Sequence, residues 1–268
     1  MKKKILITGS TDGIGRLVAS QLAAEGHEVI IHGRSLQKVD RVISEIQTAH
    51  ENADLKKAVA DFSQLSQVAA MADELNTHFS GIDVLINNAG VFKSAESTNG
   101  EGLNLRFVVN YLAPVLLTRR LLPLINKRPE PRIISLSSAA QAPVSLGALA
   151  GTERLPIQAA YAQSKLALTM WSNHLAGELS SATVIAVNPG SLLNTRMVQE
   201  AYGQYWSEAT KGSDILYQLA LSDRHNHDSG KYFDNDQGMF AQAHHDAYDK
   251  AKIASLMEVT DNLLRPYE

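Results

Sequence analysis

The 268-residue chain contains no cysteine. It therefore forms no disulfide, no thiolate metal site and no cysteine nucleophile, and this composition suits a reducing cytosol. The chain also lacks a strong excess of either charge, because 25 Lys and Arg against 28 Asp and Glu give a formal net charge of -3. This weakly acidic balance gives no electrostatic footprint for nucleic acid, so we expect no nucleic-acid partner.

Long hydrophobic runs are absent as well. The chain has no uninterrupted run of about 18 apolar residues, the length typical of a transmembrane helix. The basic residues Lys2–Lys4 are followed by only three apolar residues, Ile5–Ile7, which is too short a run for a signal peptide. We therefore predict a cytoplasmic protein without a membrane span.

No segment rich in Pro, Gly or Ser interrupts the chain, so residues 1–268 are predicted to form one α/β domain. Short apolar runs alternate with longer segments of helical periodicity, and continuous apolar runs indicate strands covered on both faces. Repeated β-α units predict a single doubly wound (Rossmann) domain, with a mainly parallel sheet of about seven strands and helices on both faces. The first six predicted strands are Lys4–Thr8, Glu28–His32, Lys56–Ala60, Ile82–Ile86, Arg132–Ser137 and Thr183–Val187; the predicted helices are Gly13–Glu25, Leu36–His50, Gln64–Phe79, Leu103–Leu122 and Ala159–Leu179.

The alternation breaks after the sixth strand. Tyr202, Tyr205 and Trp206 lie among polar residues in segment 191–212, which we predict to be a substrate-loop region. These aromatic residues could form a mobile lid over an apolar substrate, or they could pack against the domain or a partner subunit. Beyond them we predict a seventh strand at Gly230–Phe233 and a C-terminal helical tail at 239–264.

A glycine-rich turn follows the first strand and leads into a helical pattern. Glycine permits a tight turn and a close approach of the backbone, and the helix N-terminus then offers free N–H groups to a pyrophosphate. The spacing is G-x-x-x-G-x-G rather than the common G-x-G-x-x-G, and such a turn can also be purely structural. No Lys-Ser or Lys-Thr follows the last glycine, which argues against a P-loop kinase or ATPase. The predicted phosphate-binding residues are Gly9, Ser10, Asp12, Gly13, Ile14 and Gly15.

Arg34 lies directly after the second predicted strand. An NAD site usually has an acid here for the ribose 2′-OH, whereas an arginine can hold a 2′-phosphate. The first acid after this strand is Asp40, several residues into the next helix. We therefore predict that NADP(H) is preferred over NAD(H), the alternative being that Arg34 is a solvated loop residue.

Tyr161 and Lys165 are four residues apart in a predicted helix, so both side chains lie on one face. A nearby ammonium favours the phenolate and can lower the pKa of a tyrosine. A tyrosine tuned in this way can exchange a proton with an alcohol or a ketone. Taken alone, the pair is also compatible with a surface helix that carries an extended lysine.

Taken in order along the chain, these motifs resemble the short-chain dehydrogenase/reductase family over about residues 3 to 197. The stretch Arg132–Ser138, the long gap before Tyr161 and the segment Ser229–Phe233 resemble its retinol-dehydrogenase-like branch. The motifs that carry the resemblance are Thr8-Gly9-x-x-x-Gly13-x-Gly15, Asp61, Asn87-Asn88-Ala89-Gly90, Asn110, Ser138, Tyr161-x-x-x-Lys165 and Pro189-Gly190.

The resemblance implies four catalytic residues. Tyr161 is expected to be the general acid/base, and Lys165 to lower its pKa and to bind the nicotinamide ribose. Ser138 is expected to hold the substrate oxygen as charge develops on it, although Ser137 competes for this role. Asn110 is expected to bind a water molecule that links Lys165 to solvent.

The same resemblance implies the residues that hold the rest of the cofactor. Asp61, with Phe62 after it, is expected near the adenine. Asn88, Ala89 and Gly90 are expected to line the cofactor cleft, braced by the neighbouring Asn87. Pro189 and Gly190 are expected to pass the nicotinamide, and Thr195 to contact its carboxamide.

We therefore predict an NADP-preferring oxidoreductase that acts on the CH-OH group of an alcohol or on the matching carbonyl, with a partly apolar small-molecule substrate. Two other functions remain open: a non-catalytic NADP-binding sensor, and an epimerase or dehydratase that uses the same Tyr/Lys pair. The family often pairs through helices, so a homo-oligomer is possible.

The sequence departs from the family pattern in two ways that affect the predicted site. Ser138 and Tyr161 are 23 positions apart, and the extra residues 139–158 predict a loop at the pocket mouth. The segment from Pro189 to Thr195 is one residue longer than usual, which weakens the case for Thr195.

The histidine clusters 225–228 and 244–246 lack the i, i+4 spacing of paired histidine ligands, so no metal site is predicted.

Overall fold

Eight strands form one sheet in the computed structural model, which describes residues 1–268. All neighbouring strands run parallel except the last two, which are antiparallel. The strand order is β3-β2-β1-β4-β5-β6-β7-β8, so the direction of winding reverses between β1 and β4. The strands are β1 (Lys4–Ile7), β2 (Glu28–Gly33), β3 (Asp54–Val59), β4 (Val84–Asn87), β5 (Arg132–Leu136), β6 (Thr183–Asn188), β7 (Tyr232–Asp234) and β8 (Met239–Ala241).

Helices connect the parallel strands and cover the sheet. A π-helical turn, Val108–Leu112, joins α4 to α5, and short 3-10 turns occupy Asp223–His225, His245–Tyr248 and Arg265–Tyr267. The helices are α1 (Gly13–Ala24), α2 (Leu36–Ala49), α3 (Leu65–His78), α4 (Leu105–Phe107), α5 (Ala113–Ile125), α6 (Leu146–Leu149), α7 (Ile157–Glu178), α8 (Arg196–Tyr202), α9 (Thr210–Leu221) and α10 (Lys250–Leu264).

The central strands of the sheet are buried on both faces. Along β1, Leu6 belongs to one hydrophobic cluster, while Ile5 and Ile7 belong to the other. Successive strand residues point to opposite faces, so a strand covered on both sides is apolar at every position. The strand order, the parallel pairing and the helices that cover the sheet confirm the predicted single doubly wound α/β domain.

Helices α4 and α5 and the π-helical turn between them form one continuous helical stretch, Leu105–Ile125. Its 21 residues are long and apolar enough to cross a membrane by length and composition alone. In the structure, 72% of its most apolar window is buried inside the protein, where α5 packs against α3 and β4. A buried core helix has the same composition as a membrane span, so this stretch gives only weak evidence for one.

The C-terminal region differs from the sequence prediction. Met239–Ala241 is an eighth strand rather than the start of a helix, and α10 begins only at Lys250. Gly238, with a φ of 69°, permits the turn that brings β8 back against β7, and Phe240 packs edge-on against Phe233 at 5.1 Å. Asp249 caps α10 by accepting hydrogen bonds from two main-chain N–H groups, which fixes the later helix start.

Helix α10 packs onto α7 and α6. The buried hydroxyl groups of Tyr111, in the π-helical turn, and Thr260 are 2.7 Å apart, and Arg119 of α5 pairs with Asp261 at 2.6 Å. These contacts attach the last helix to the helices α5 to α7 and to the π-helical turn.

Candidate active site

A cavity of about 450 Å³ lies at the carboxyl ends of the strands, beside the β1/β4 reversal. Doubly wound folds usually bind ligands at this position. The turns after β1 to β4, helix α7 and the segment after β6 all contribute to its lining. Fourteen of the predicted site residues line it: Gly9, Asp12, Gly13, Ile14, Arg34, Asp61, Phe62, Asn88, Ala89, Gly90, Tyr161, Lys165, Pro189 and Thr195.

The glycine turn is held by close backbone contacts. A Cβ atom on Gly15 would lie 2.4 Å from Asn88 Nδ2 and 2.6 Å from the Gly9 carbonyl, so no larger residue fits there without movement. Asn88 Nδ2 donates hydrogen bonds to the carbonyls of Thr8 (2.7 Å) and Gly9 (3.0 Å). Asp12 caps α1 by accepting the Gly13 N–H at 2.8 Å. The turn therefore presents main chain to the cavity.

Two predicted members of this turn lie behind it. Ser10 is fully buried, and its hydroxyl donates to the Ile7 carbonyl at 2.8 Å. Gly15 is also buried within α1. Neither residue lines the cavity, so both support the turn from inside the protein.

Arg34 lies exposed at the cavity together with a second cation, Lys38. Ser35 caps α2 and brings Lys38 into its first turn. Asp40, the first acid of α2, is paired with Lys57 at 2.9 Å. Lys38 was not predicted from the sequence. A basic residue in a first helical turn opposes the helix dipole, so its presence there could have indicated an anion site.

Asp61 and Phe62, the two residues expected near the adenine, have different surroundings. Phe62 is buried, and its ring lies 4.4 Å from the ring of His32. The Asp61 carboxylate accepts the Ser63 N–H at 2.9 Å and thus shapes the turn after β3. His32 also lines the cavity and was not predicted from the sequence.

Tyr161 and Lys165 lie on one face of α7, as their spacing predicts. The Lys165 Nζ is 5.6 Å from the centre of the Tyr161 ring and donates a hydrogen bond to the Leu136 carbonyl at 2.7 Å. Burial lowers the pKa of Lys165 to about 8. Burial raises the pKa of Tyr161 to about 12, against the opposing effect of the nearby Ser138 side chain.

The expected lowering of the Tyr161 pKa by Lys165 stays a prediction. The lysine ammonium is directed to a carbonyl of β5, and burial of the phenol has the larger effect. The phenol is consequently protonated at neutral pH and can donate a proton.

The two neighbouring serines have different environments. The Ser137 hydroxyl is buried and makes hydrogen bonds to the Lys165 carbonyl (3.1 Å) and Thr169 Oγ1 (2.7 Å). Ser138 does not line the 450 Å³ cavity, whereas Ser137 does, but the Ser138 side chain lies close enough to Tyr161 to oppose the rise of its pKa, and its Oγ accepts the Ala140 N–H at 3.1 Å. Ser138 stays the predicted substrate-binding serine, because a group that holds a substrate oxygen must lie beside the proton donor.

Asn110 is buried in the π-helical turn, a feature often found at functional sites. Its Oδ1 accepts the Val91 N–H at 2.7 Å, and its Nδ2 donates to the Val91 carbonyl and to Ser164 Oγ, each at 3.0 Å. A Cβ on Gly90 would lie 3.3 Å from Asn110 Oδ1 and 3.6 Å from Lys165 Nζ. The absence of a side chain at Gly90 thus allows Asn110 and Lys165 to come close together.

The family model for short chain dehydrogenase matches residues 3–206. The chain belongs to the short-chain dehydrogenase/reductase family. It is 30% identical to retinol dehydrogenase 12 of Mus musculus over 98% of this chain and 86% of that protein, and it lies in the retinol-dehydrogenase-like branch.

Solved structures agree with this assignment. A short chain dehydrogenase from Shigella flexneri, complexed with NADP, is 26% identical with a TM-score of 0.71 over 87% of this chain and 97% of that chain. A protein from Mycobacterium paratuberculosis is 25% identical with a TM-score of 0.79 over 98% of this chain and 93% of that chain. Together with the fold, these similarities support binding of a nicotinamide cofactor by this oxidoreductase family member.

Several apolar residues lie near Tyr161 in the cavity. Phe92 lies edge-on to Tyr161 at 5.0 Å, and Tyr202 lies 5.6 Å from Phe92. The Phe92 carbonyl accepts a hydrogen bond from the buried Arg106 at 2.8 Å, which holds this segment. Trp206 is 73% exposed and does not line the cavity. The further apolar lining residues here are Val91, Leu105, Val109, Leu136 and Met197.

Residues 139–158 do not form the pocket mouth that the sequence suggests. None of them lines the cavity, and α6 within this segment packs against α10 instead. The segments 91–94 and 195–200 lie at the opening, where Lys93 Nζ donates to the Glu200 carbonyl at 2.8 Å. Thr195 caps α8 and lies against Gly13, 3.6 Å from the position of a Cβ there.

Gly190 is the last of the predicted cofactor-binding residues, and the histidine clusters are not among the predicted site residues. Gly190 does not line the cavity; its N–H donates to Asn188 Oδ1 at 3.2 Å. The possible ligand atoms of His244, His245 and Asp246 lie within 4.8 Å of one another. The Asp246 carboxylate is already paired with Lys252 at 2.6 Å, and this ammonium opposes a cation at the same oxygen.

Proposed function

We propose that this protein is an NADP(H)-preferring oxidoreductase that interconverts an alcohol and its carbonyl compound, with Tyr161 as the general acid/base. The observation that carries the proposal is the position of Tyr161 and Lys165, which both line the cavity that also contains the glycine turn, with Lys165 Nζ 5.6 Å from the centre of the Tyr161 ring. A proton donor and a cation would then lie beside the nicotinamide ring.

The shape of the cavity fits an extended dinucleotide. The turn after β1 offers main-chain N–H groups at the N-terminus of α1, and Gly9 and Gly13, which line the cavity, carry no side chain that would block a ligand. Arg34 and Lys38 would hold a ribose 2′-phosphate, while Lys165 would reach the nicotinamide ribose. When bound, the nicotinamide supplies or accepts the hydride.

The chain's own groups would control the proton. In the direction of reduction, the Tyr161 hydroxyl would donate its proton to the carbonyl oxygen as negative charge develops there. Ser138 would hold the same oxygen by a hydrogen bond, and the positive charge of Lys165 would stabilise the resulting phenolate. Asn110 would bind a water molecule that returns a proton through Lys165.

The residues around Tyr161 support a partly apolar substrate. Phe92, Val109 and Met197 line the cavity that contains the phenol, and their side chains offer no hydrogen bonds. The similarity to a retinol dehydrogenase is consistent with an apolar alcohol or aldehyde. The cytoplasmic location and the possible homo-oligomer expected from the sequence stay predictions.

The direct test is Tyr161→Phe, assayed with NADPH and a panel of aldehydes and ketones. We expect a loss of about 10³-fold or more in kcat, because the phenol is the proton donor, with little change in the Kd for NADPH. Tyr205→Phe is the matched control, since Tyr205 is exposed and does not line the cavity. An active Tyr161→Phe variant would refute the proposal. Tight NADPH binding by a wild-type protein that reduces no compound would instead favour a sensor.

A further inference from the structure

His32 is a buried residue near the end of β2, and both of its ring nitrogens are engaged. Its Nδ1 is 3.0 Å from the Gly9 main-chain nitrogen, and its Nε2 is 3.2 Å from the Ala60 carbonyl oxygen. A main-chain N–H can only donate and a carbonyl can only accept. The ring must therefore carry its single hydrogen on Nε2 and accept at Nδ1, and burial, which lowers its pKa to about 4, keeps it neutral.

The two partners of His32 belong to different parts of the cavity. Gly9 is the first glycine of the turn after β1, with a φ of 65°. Ala60 directly precedes Asp61 and Phe62, which line the cavity beyond β3, and the His32 ring lies against Phe62 at 4.4 Å. One imidazole thus connects the turn proposed for the pyrophosphate with the segment proposed for the adenine.

We propose that His32 is a positioning residue for the adenine half of the cofactor, because it fixes the distance between the Gly9 turn and the segment Ala60–Phe62. The proposal rests on the proposed dinucleotide site. An apolar side chain at this position would leave the Gly9 N–H and the Ala60 carbonyl without these partners, and both segments would be free to shift.

The chain contains a matched control. His27 is 8% exposed, and its Nδ1 accepts the Lys3 N–H at 3.1 Å. It therefore makes the same kind of hydrogen bond near the other end of β1 and β2, and it does not line the cavity. A purely structural effect of losing a histidine acceptor should be similar at both positions.

The experiment compares His32→Leu, His32→Asn and His32→Gln with His27→Leu. For each purified protein, the Kd is measured for NADPH, for adenosine 2′,5′-bisphosphate and for reduced nicotinamide mononucleotide. We expect His32→Leu to bind the first two about tenfold more weakly, with the mononucleotide unaffected. We expect KM for NADPH to rise while kcat at saturating NADPH stays unchanged.

The two polar variants separate the hydrogen bonds. Asn Oδ1 can take the place of Nδ1 and accept from Gly9, whereas Gln can replace only the Nε2 donor to Ala60. We expect His32→Asn to recover most of the affinity and His32→Gln to recover less, so the comparison remains informative if His32→Leu fails to fold. NMR of the ring nitrogens in the wild-type protein should show the neutral Nε2–H form.

Several results would overturn the proposal: wild-type affinities in His32→Leu, equal losses for all three ligands, an equal loss in His27→Leu, equal affinities in the Asn and Gln variants, or the other tautomer by NMR. A wild-type protein that binds neither NADPH nor adenosine 2′,5′-bisphosphate would refute the dinucleotide site itself. The two failures can be told apart. If only the His32 inference is wrong, the wild-type protein still binds NADPH, and the His32 variants keep that binding.

Discussion

The two ends of the cavity are built in different ways. The glycine end (Gly9–Gly15, His32 and Asn88) presents main chain that is fixed by short hydrogen bonds and close backbone contacts. The tyrosine end (Phe92, Tyr161 and Lys165) is formed by side chains from two separate segments, and Tyr202, which is 48% exposed, lies against Phe92. The glycine end is therefore suited to a constant ligand, and the tyrosine end to a substrate that differs among relatives.

This difference predicts distinct kinetic effects. Changes at the glycine end should alter the affinity for the cofactor, whereas changes at the tyrosine end should alter turnover or the KM of the substrate. The following substitutions test that division.

The largest effect is expected from Lys165→Met at the tyrosine end. The variant removes the positive charge that would stabilise the Tyr161 phenolate, so kcat should fall about 10³-fold. Because the two residues would act as a unit, the double variant with Tyr161→Phe should be little worse than the poorer single variant. Steady-state assays of the three variants measure this, and simple multiplication of the two losses would contradict the coupling.

The pH dependence follows from the pKa of Lys165, which burial lowers to about 8. The lysine is charged below this pH, while Tyr161 stays protonated up to its pKa of about 12. Reduction that needs both groups protonated should therefore lose kcat/KM for NADPH as the pH rises through about 8. Lys165→Arg should move this decline to higher pH, since arginine keeps its charge; an unchanged profile would show that another group titrates.

The next largest effect is expected from Gly15→Ala at the glycine end. The new Cβ would lie 2.6 Å from the Gly9 carbonyl and 2.4 Å from Asn88 Nδ2, so the turn must shift. Overpacking of this kind costs about 1–3 kcal/mol, and we expect NADPH binding to weaken by about tenfold or more while kcat changes less.

Gly177→Ala is the matched control for this change. Gly177 lies near the end of α7, and nothing lies within 4 Å of its added Cβ. It should stabilise the protein by about 0.5 kcal/mol without affecting NADPH binding. If Gly15→Ala binds NADPH as tightly as Gly177→Ala does, the glycine end is not the phosphate site.

The glycine end was also the easier part to predict from sequence, because its residues are contiguous. The order of Gly9, Gly13 and Gly15 after an apolar run contains most of the information about the turn. The Tyr161–Lys165 face is likewise encoded in a four-residue spacing on one helix. Periodicity and local spacing are properties of the sequence itself, and the doubly wound fold follows from them.

Contacts between distant segments could not be predicted in this way. The role of His32 depends on three strand ends that meet only in the folded sheet, and Phe92 reaches Tyr161 only after α7 packs beside β5. Residues 139–158 lie away from the cavity because α6 packs on α10, and no local sequence pattern predicts this contact. The pairing of β8 with β7 similarly overrides the helical pattern at Met239.

A change in cofactor choice, rather than in the overall activity, is expected from Arg34 and Lys38 at the glycine end. Arg34→Asp should replace 2′-phosphate attraction by repulsion and shift the ratio of kcat/KM for NADPH over NADH by about a hundredfold toward NADH. Lys38→Ala should shift it in the same direction by about tenfold or less, since it removes one charge without adding an opposite one. Lys57→Ala is the control, because Lys57 pairs with Asp40 and does not line the cavity. An unchanged ratio in both cavity variants would refute the 2′-phosphate site.

The smallest effect is expected from Tyr202→Ala at the tyrosine end. Tyr202 contacts the site only through Phe92, at 5.6 Å, and is about half exposed, so its removal should raise the KM for an apolar carbonyl substrate about threefold to tenfold. The KM for NADPH should not change. Trp206→Ala removes a larger aromatic residue from the same segment, but Trp206 is 73% exposed and away from the cavity, so it should leave both constants unchanged. Equal effects of the two variants would show that the whole 191–212 segment, rather than Tyr202 alone, contacts the substrate.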